Sequence, residues 1–184
     1  PTTVVDATGD ATVCHLAGLA MQSDVTGRNT QPMTMCFRMA GVDWSPIERY
    51  MIENPTEFHP GTMIGHRPIT GVSGFFSIWT EAGLPIPRDR LLFFAGPRPG
   101  QVYMNTSRIQ GRDGTDPQDL SEAEAEGRRQ VACLVRLLRD RVPGFANSIL
   151  DALPAQVGVR ETRRIVGEYT LAVEDVMQGV RFED

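Results

Sequence analysis

Two short stretches of this chain carry side chains that chemistry could use. The first is Asp6-Ala7-Thr8-Gly9-Asp10, inside "VVDATGDATVCHLAG". An apolar pair, Val4-Val5, runs into a carboxylate, a hydroxyl, a glycine and a second carboxylate, and then into a helix-like stretch. Glycine at a strand-to-helix turn lets a ligand come close to the backbone, and a helix N-terminus favours an anion. Thr8, Gly9 and Asp10 are therefore the candidate cofactor contacts, although an ordinary capped turn has the same composition. The second stretch is "GVRETRRIVGEY", which places Arg160, Glu161, Arg163 and Arg164 within five residues. On an extended backbone Arg160, Thr162 and Arg164 point one way and Glu161 and Arg163 the other. Guanidinium groups grip carboxylates and phosphates through paired N–H donors, so this segment could hold an anion. A surface ladder of ion pairs is the plainer alternative.

The rest of the chain narrows the chemistry. G-x-G-x-x-G, G-x-S-x-G and H-E-x-x-H are all absent. His15, His59 and His66 are scattered and read as structural or surface residues, and no metal site is expected. All 18 basic residues are Arg. Without lysine there is no Schiff base, no pyridoxal phosphate anchor and no Walker A loop. The net charge of −5 disfavours a nucleic-acid surface. Cys14, Cys36 and Cys133 are odd in number and far apart, and they read as reduced, mostly buried thiols. No apolar run is long enough for a membrane span and no signal peptide is evident, so the expected compartment is cytoplasmic.

The elements that must position these residues follow from periodicity. Val4–Ala7 reads as a strand, with Asp10 as N-cap of a helix to Ala17 and Gly18 as its stop. In "PMTMCFRMAGV", Met33, Met35, Phe37 and Met39 share one face, which predicts a half-buried strand. "SPIERYMIENP" predicts a helix capped by Ser45 and ended before Pro55, followed by a loop over 56–70. "GVSGFFSIWTEAGLP" predicts a short helix ended at Gly83. Leu91–Ala95 and Gln101–Ile109 read as hairpin strands joined by "GPRPG". A long helix is expected from Ser121 to Arg141, acidic first and basic last, with Leu120, Val131, Leu134, Val135 and Leu138 as its apolar stripe. "VPGFANSILDAL" predicts a turn and a short helix. Two short strands are expected around Arg160–Arg164, and a last helix over Ala172–Gln178 with Gly179 as its stop. Hairpins interleaved with helices predict an α+β fold with a mixed or antiparallel sheet and covering helices.

Taken together, "VVDATGDATVCHLAG", "QPMTMCFRMAGVD", "VYMNTSRIQGRDGTDPQDLSEAEAEGRRQ", "VPGFANS" and "VGVRETRRIVGEYTLAVEDVMQGVRF" resemble the middle portion of the FAD-dependent oxidoreductases of the glutathione-reductase-like superfamily. The resemblance covers nearly the whole chain and is weaker from about Ser45 to Pro87. It implies that Ala7-Thr8-Gly9 is the strand end that returns to FAD, so that residues 1–29 are the edge of a Rossmann-like FAD domain. Residues 30–154 are then the substrate-binding domain, and 155–184 lead back toward the flavin. The family's G-x-G-x-x-G cradle does not occur here, and the chain starts at Pro1, so the expectation is an internal fragment that is inactive alone and holds FAD poorly. Under the resemblance Arg160 and Glu161 are the catalytic candidates, and Asn105 and Arg108 in "NTSRI" are the substrate contacts. The substrate is an unidentified small molecule. Neither nucleic acid nor membrane is an expected partner. Self-association is expected through apolar surface around Val4, Val5 and Leu16. The alternative is a stand-alone, non-enzymatic module that binds a small anion or a partner protein through Arg160–Arg164.

Overall fold

A computed structural model describes residues 3–22, 29–62 and 70–182. The fold is α+β, built on a five-stranded open sheet in which every neighbouring pair is antiparallel. The strands are β1 (Phe37–Ala40), β2 (Gly71–Gly74), β3 (Leu91–Ala95), β4 (Val102–Met104) and β5 (Ile149–Ala152). Their order across the sheet is β2-β3-β4-β1-β5. The helices are α1 (Thr12–Leu16), α2 (Trp44–Glu53), α3 (Phe76–Ala82), α4 (Pro117–Arg141) and α5 (Val173–Gln178), with a 3-10 turn over Pro55–Glu57.

The alternation in "PMTMCFRMAGV" decides the core. Met33, Met35, Phe37 and Met39 are all buried, together with Leu91, Phe93, Val102 and Met104 from the neighbouring strands. Helices α2, α3 and α4 add Ile47, Met51, Trp79, Leu134 and Leu138 to the same cluster. Each large side chain removed from water in this way contributes about 1.5–3 kcal/mol. A run of aromatic contacts links the elements: Phe58, Phe75, Phe93 and Phe145 meet in sequence with centroids 4.9, 6.3 and 5.5 Å apart.

Several elements differ from the sequence expectation. Val4–Ala7 forms no strand, having no pairing partner among the described residues. Helix α1 starts at Thr12 after Ala11, not after an Asp10 cap. Helix α2 is capped by Asp43, whose side chain accepts from the Ser45 N–H, rather than by Ser45 itself. Helix α4 begins four residues early, because Asp116 caps it and Pro117 sits in its first turn. Gly71–Gly74 is a strand rather than the start of a helix. It pairs with β3, and a Cβ on Gly74 would lie 2.3 Å from Phe58 Cδ1, so only glycine allows Phe58 to bridge there. Ile149–Ala152 is also a strand and not a helix, because the open edge of β1 offers it a ladder. The segment around Arg160–Arg164 forms no strand and is tied by single bridges at Gly158 and Ile165. The cysteines are free, as expected, but not buried: Cys36 is exposed and the other two are half-buried. His66 and most of the 22–31 loop lie outside the described residues.

The predicted strand over Gln101–Ile109 keeps its course although its regular ladder ends at Met104. Two hydroxyls replace the missing backbone pairs. Thr106 Oγ1 accepts from Leu92 N and donates to Leu92 O, both at 2.9 Å. On the other side Ser107 Oγ accepts from Met35 N at 2.8 Å and donates to Met35 O at 3.0 Å. Ile109 then rejoins the sheet opposite Met33. Among the described residues no helix is long and apolar enough to cross a membrane.

Candidate functional site

The two stretches singled out by their chemistry lie together. Thr162 Oγ1 donates to Asp10 Oδ1 at 2.7 Å, closing a gap of 152 residues. Around this bond is a cleft of about 360 Å³ lined by Gly9, Asp10 and residues Val159 to Arg164.

Each wall has a local cause. In the Asp6–Asp10 turn, Asp6 Oδ1 accepts from both the N–H and the hydroxyl of Thr8, and Asp6 Oδ2 accepts from Cys14 N at 2.9 Å. The Thr8 hydroxyl bond, then the Cys14 and Thr8 N–H groups, hold the Asp6 carboxyl well below the usual carboxylate range. Thr8 Oγ1 also accepts from Thr12 N, so Thr8 spends its hydroxyl on the turn. Gly9 has φ +82° and faces open space.

The opposite wall is held by α4 and the loop before it. Buried Asp119 accepts from Asp113 N at 2.8 Å and pairs with Arg112, which fixes residues 112–116. Gly114 in that loop lies against Val159 and Thr162, and a Cβ there would come within 2.6 Å of Val159 Cγ1. Glu124 accepts from Val157 N. Gly158 and Thr34 exchange backbone hydrogen bonds of 2.9 and 3.0 Å. Glu161 accepts from Gln31 N at 2.9 Å and pairs with Arg164 at 3.4 Å. Glu161 is therefore engaged in holding the segment. Thr162 is buried while Arg160 and Arg164 are exposed, so the simple extended alternation does not hold across these residues. Arg163 lines the cleft, and its Nε is buried with no hydrogen-bond partner.

Asn105 and Arg108 are half-buried at the margin of the sheet. Thr106 and Ser107, spending their hydroxyls on neighbouring strands, leave Asn105 and Arg108 as the polar side chains of "NTSRI" not bound to backbone. Gln130 was missed by sequence reasoning. Its Oε1 accepts from Arg108 N at 2.8 Å and its Nε2 donates to Arg108 O at 3.0 Å. The signal was an amide sitting on the buried face of α4, between Gly127 and Leu134. Arg88 was also missed, because its stretch has no motif, and the sequence marks Cys36 only as a buried thiol. Among the described residues no group of three His, Cys, Asp or Glu side chains is placed to hold a metal ion.

Fold and site together define an α+β protein with an arginine-lined cleft beside an Asp-Ala-Thr-Gly-Asp turn. The family model described as "FAD dependent oxidoreductase" matches residues 2–184. The chain belongs to this FAD-dependent oxidoreductase family. No curated protein and no solved structure matches it significantly.

Proposed function

We infer that this chain is the substrate-binding part of a flavin-dependent oxidoreductase acting on a small molecule, and that its Gly9–Asp10 turn and Arg160–Arg164 segment face the cofactor. The observation that carries this is the Asp10–Thr162 hydrogen bond, which joins the turn to the arginine segment around one cleft in a chain of this family. In this reading residues 30–154 are the substrate-binding domain, flanked by 1–29 and 155–184 as contributions to the FAD domain.

The residues fit an anionic cofactor group. Gly9 leaves its side of the turn open, and the buried Arg163 Nε lacks an acceptor. Gly9 and Arg163 would hold the group, with Asp10 fixing the turn against Thr162 and Thr8 shaping it from behind. Bound FAD supplies hydride or electron transfer. The chain's own part is to orient the substrate beside it, through Arg160 and the sheet residues Asn105 and Arg108, while Glu161 keeps Arg164 and Gln31 in place.

This chain has no G-x-G-x-x-G cradle for the pyrophosphate, so by itself it is expected to show no flavin absorbance after desalting and no activity. The full reading frame that encodes it is expected to bind FAD, and Arg163→Gln to weaken that binding about tenfold. A full-frame protein that takes up no FAD would overturn the reading. Val4, Val5 and Leu16 are largely exposed, in keeping with a surface that packs on the cofactor domain. Self-association of the chain through them is expected in sedimentation experiments. A second reading, a module that binds an anion without flavin, draws on the exposure of Arg160 and Arg164. Anion binding without flavin uptake by the full frame would select it.

A further inference from the structure

Beside the cleft at Asp10, with which it shares Arg160, the open face of the sheet carries a further group of basic side chains. The alternation that turns Met33, Met35 and Ile109 into the core puts Thr34, Cys36 and Arg108 on the other face. Continuing the β1–β4 register from Phe37↔Met104 sets Cys36 opposite Asn105, and their Sγ and Oδ1 atoms are 3.8 Å apart. Arg160 reaches this patch two residues after Gly158, which is paired with Thr34. Arg88 reaches it from the connection between α3 and β3. The guanidinium groups of Arg160 and Arg88 both act on the Cys36 thiol, opposing the larger upward push of burial on its pKa. Burial, then the charges of Arg108 and Arg90, pull the Arg88 guanidinium below its usual value; Asp89 opposes this in part and Arg160 adds a little to it.

The backbones of Arg88 and Arg108 are held in place, while neither guanidinium forms an ion pair among the described residues; Asp89, next in the chain, acts on Arg88 only at longer range. Trp79 Nε1 donates to Arg88 O at 2.6 Å, and Gln130 brackets the Arg108 backbone from both sides. Yet Arg88 Nε and Arg108 Nε are buried with no hydrogen-bond partner. Several other arginines are paired, Arg38 with Asp151, Arg112 with Asp119 and Glu122, Arg128 with Glu124, Arg141 with Glu81, and others such as Arg129, Arg136 and Arg139 are exposed to water. Among the described residues Arg88, Arg108 and Arg160 have no such carboxylate, although the chain as a whole carries a net charge of −5. Buried donors without acceptors are rare in native structures, and clustered like charges repel. Both features are relieved by an oxyanion.

We propose that Arg88, Arg108 and Arg160, with Asn105 and Cys36 among them, bind a small dianion, a dicarboxylate or a phosphate monoester, on the open face of the sheet. The assignment of that dianion as a substrate rests on the oxidoreductase reading above. Three guanidinium groups supply forked donors for two negative charges, and the Asn105 amide N–H₂ adds a neutral donor.

The test uses Cys36 as a reporter within the site. The chain is alkylated with iodoacetamide and the three cysteines are followed separately by peptide mass spectrometry. Succinate, inorganic phosphate, ADP and chloride are compared at constant ionic strength. Succinate or phosphate is expected to slow alkylation of Cys36 about fivefold at a concentration about four times Kd, leaving Cys14 and Cys133 unchanged. Arg108→Gln is expected to abolish the protection. Arg160→Gln, at an exposed position with no fold role, is expected to reduce it severalfold; unchanged Cys14 and Cys133 rates report that each variant is folded. Protection absent with succinate and phosphate, equal protection by chloride, or no effect of Arg160→Gln would overturn the proposal. Protection by ADP alone would also overturn it, assigning the arginines to a cofactor pyrophosphate. None of these outcomes needs flavin, so the site can stand even if the full frame binds no FAD.

Discussion

On one face of the sheet Met35, Phe37, Phe93 and Met104 are buried beneath α2, α3 and α4; on the other, Phe94 and Tyr103 remain 43% and 40% exposed beside Arg38 and Asp151. The same strands supply both faces, since successive side chains point to opposite sides. The covered face is apolar and filled by packing. The open face carries arginines, aromatics and a thiol, none of which the fold needs for its core. One face holds the sheet together; the other is the face on which the proposed anion site lies.

The largest test of this contrast is in the core. Phe93→Ala is expected to cost about 3–5 kcal/mol in urea unfolding, whereas Tyr103→Ala, on the adjacent strand but the open face, should change stability by less than about 1 kcal/mol. Similar losses at both would break the comparison. Next is Asp119→Ala, which removes a buried carboxylate that holds the loop before α4; a loss of about 2 kcal/mol is expected by the same measurement. Gly114→Ala would drive a Cβ into Val159 and Thr162, with an expected cost of about 1–3 kcal/mol and a displaced Arg160–Arg164 segment, visible as shifted NMR signals of Thr162. Thr162→Val should cost only about 1 kcal/mol but release the Asp6–Asp10 turn from the cleft, which hydrogen exchange at Cys14 would report.

The smallest effect is on acidification. Asp6 titrates lower in the folded chain than in the unfolded one, so its contribution is present above the ordinary aspartate pKa of about 3.9 and is lost as pH falls through the depressed folded value. The amide shifts of Thr8 and Cys14 should therefore hold steady through pH 4 and move only in stronger acid. Titration of both near pH 4 would show that the turn is not held by Asp6.

Much of the fold was legible where local chemistry and tertiary packing agree. The 33–39 alternation, the Leu91 hairpin, the long helix and the stops at Gly83 and Gly179 all behave as their patterns indicate. Gly71–Gly74 and Ile149–Ala152 do not, because their strand state comes from a partner ladder that the local sequence does not mention. The site divides in the same way. Asp10 and the Arg160–Arg164 segment announce themselves by composition, and so do Asn105 and Arg108 in part. Arg88 and Gln130 stand in unremarkable stretches, and Cys36 in one marked only by its apolar alternation; their neighbourhoods are set by the packed fold.

The sequence by itself determined the α+β class, the apolar face of β1 and the two charged stretches, because these depend on residue type and short-range spacing, and it carried the family resemblance. Tertiary structure alone decided that Asp10 meets Thr162, that Asp119 and Gly114 seat the arginine segment, and that Arg88 and Arg160 come near Cys36, with Arg108 near Arg88. The physical reason is separation along the chain: hydrogen bonds and Coulomb interactions act between groups a few ångströms apart, and only the packed sheet brings residues 10 and 162, or 36, 88 and 160, within that reach.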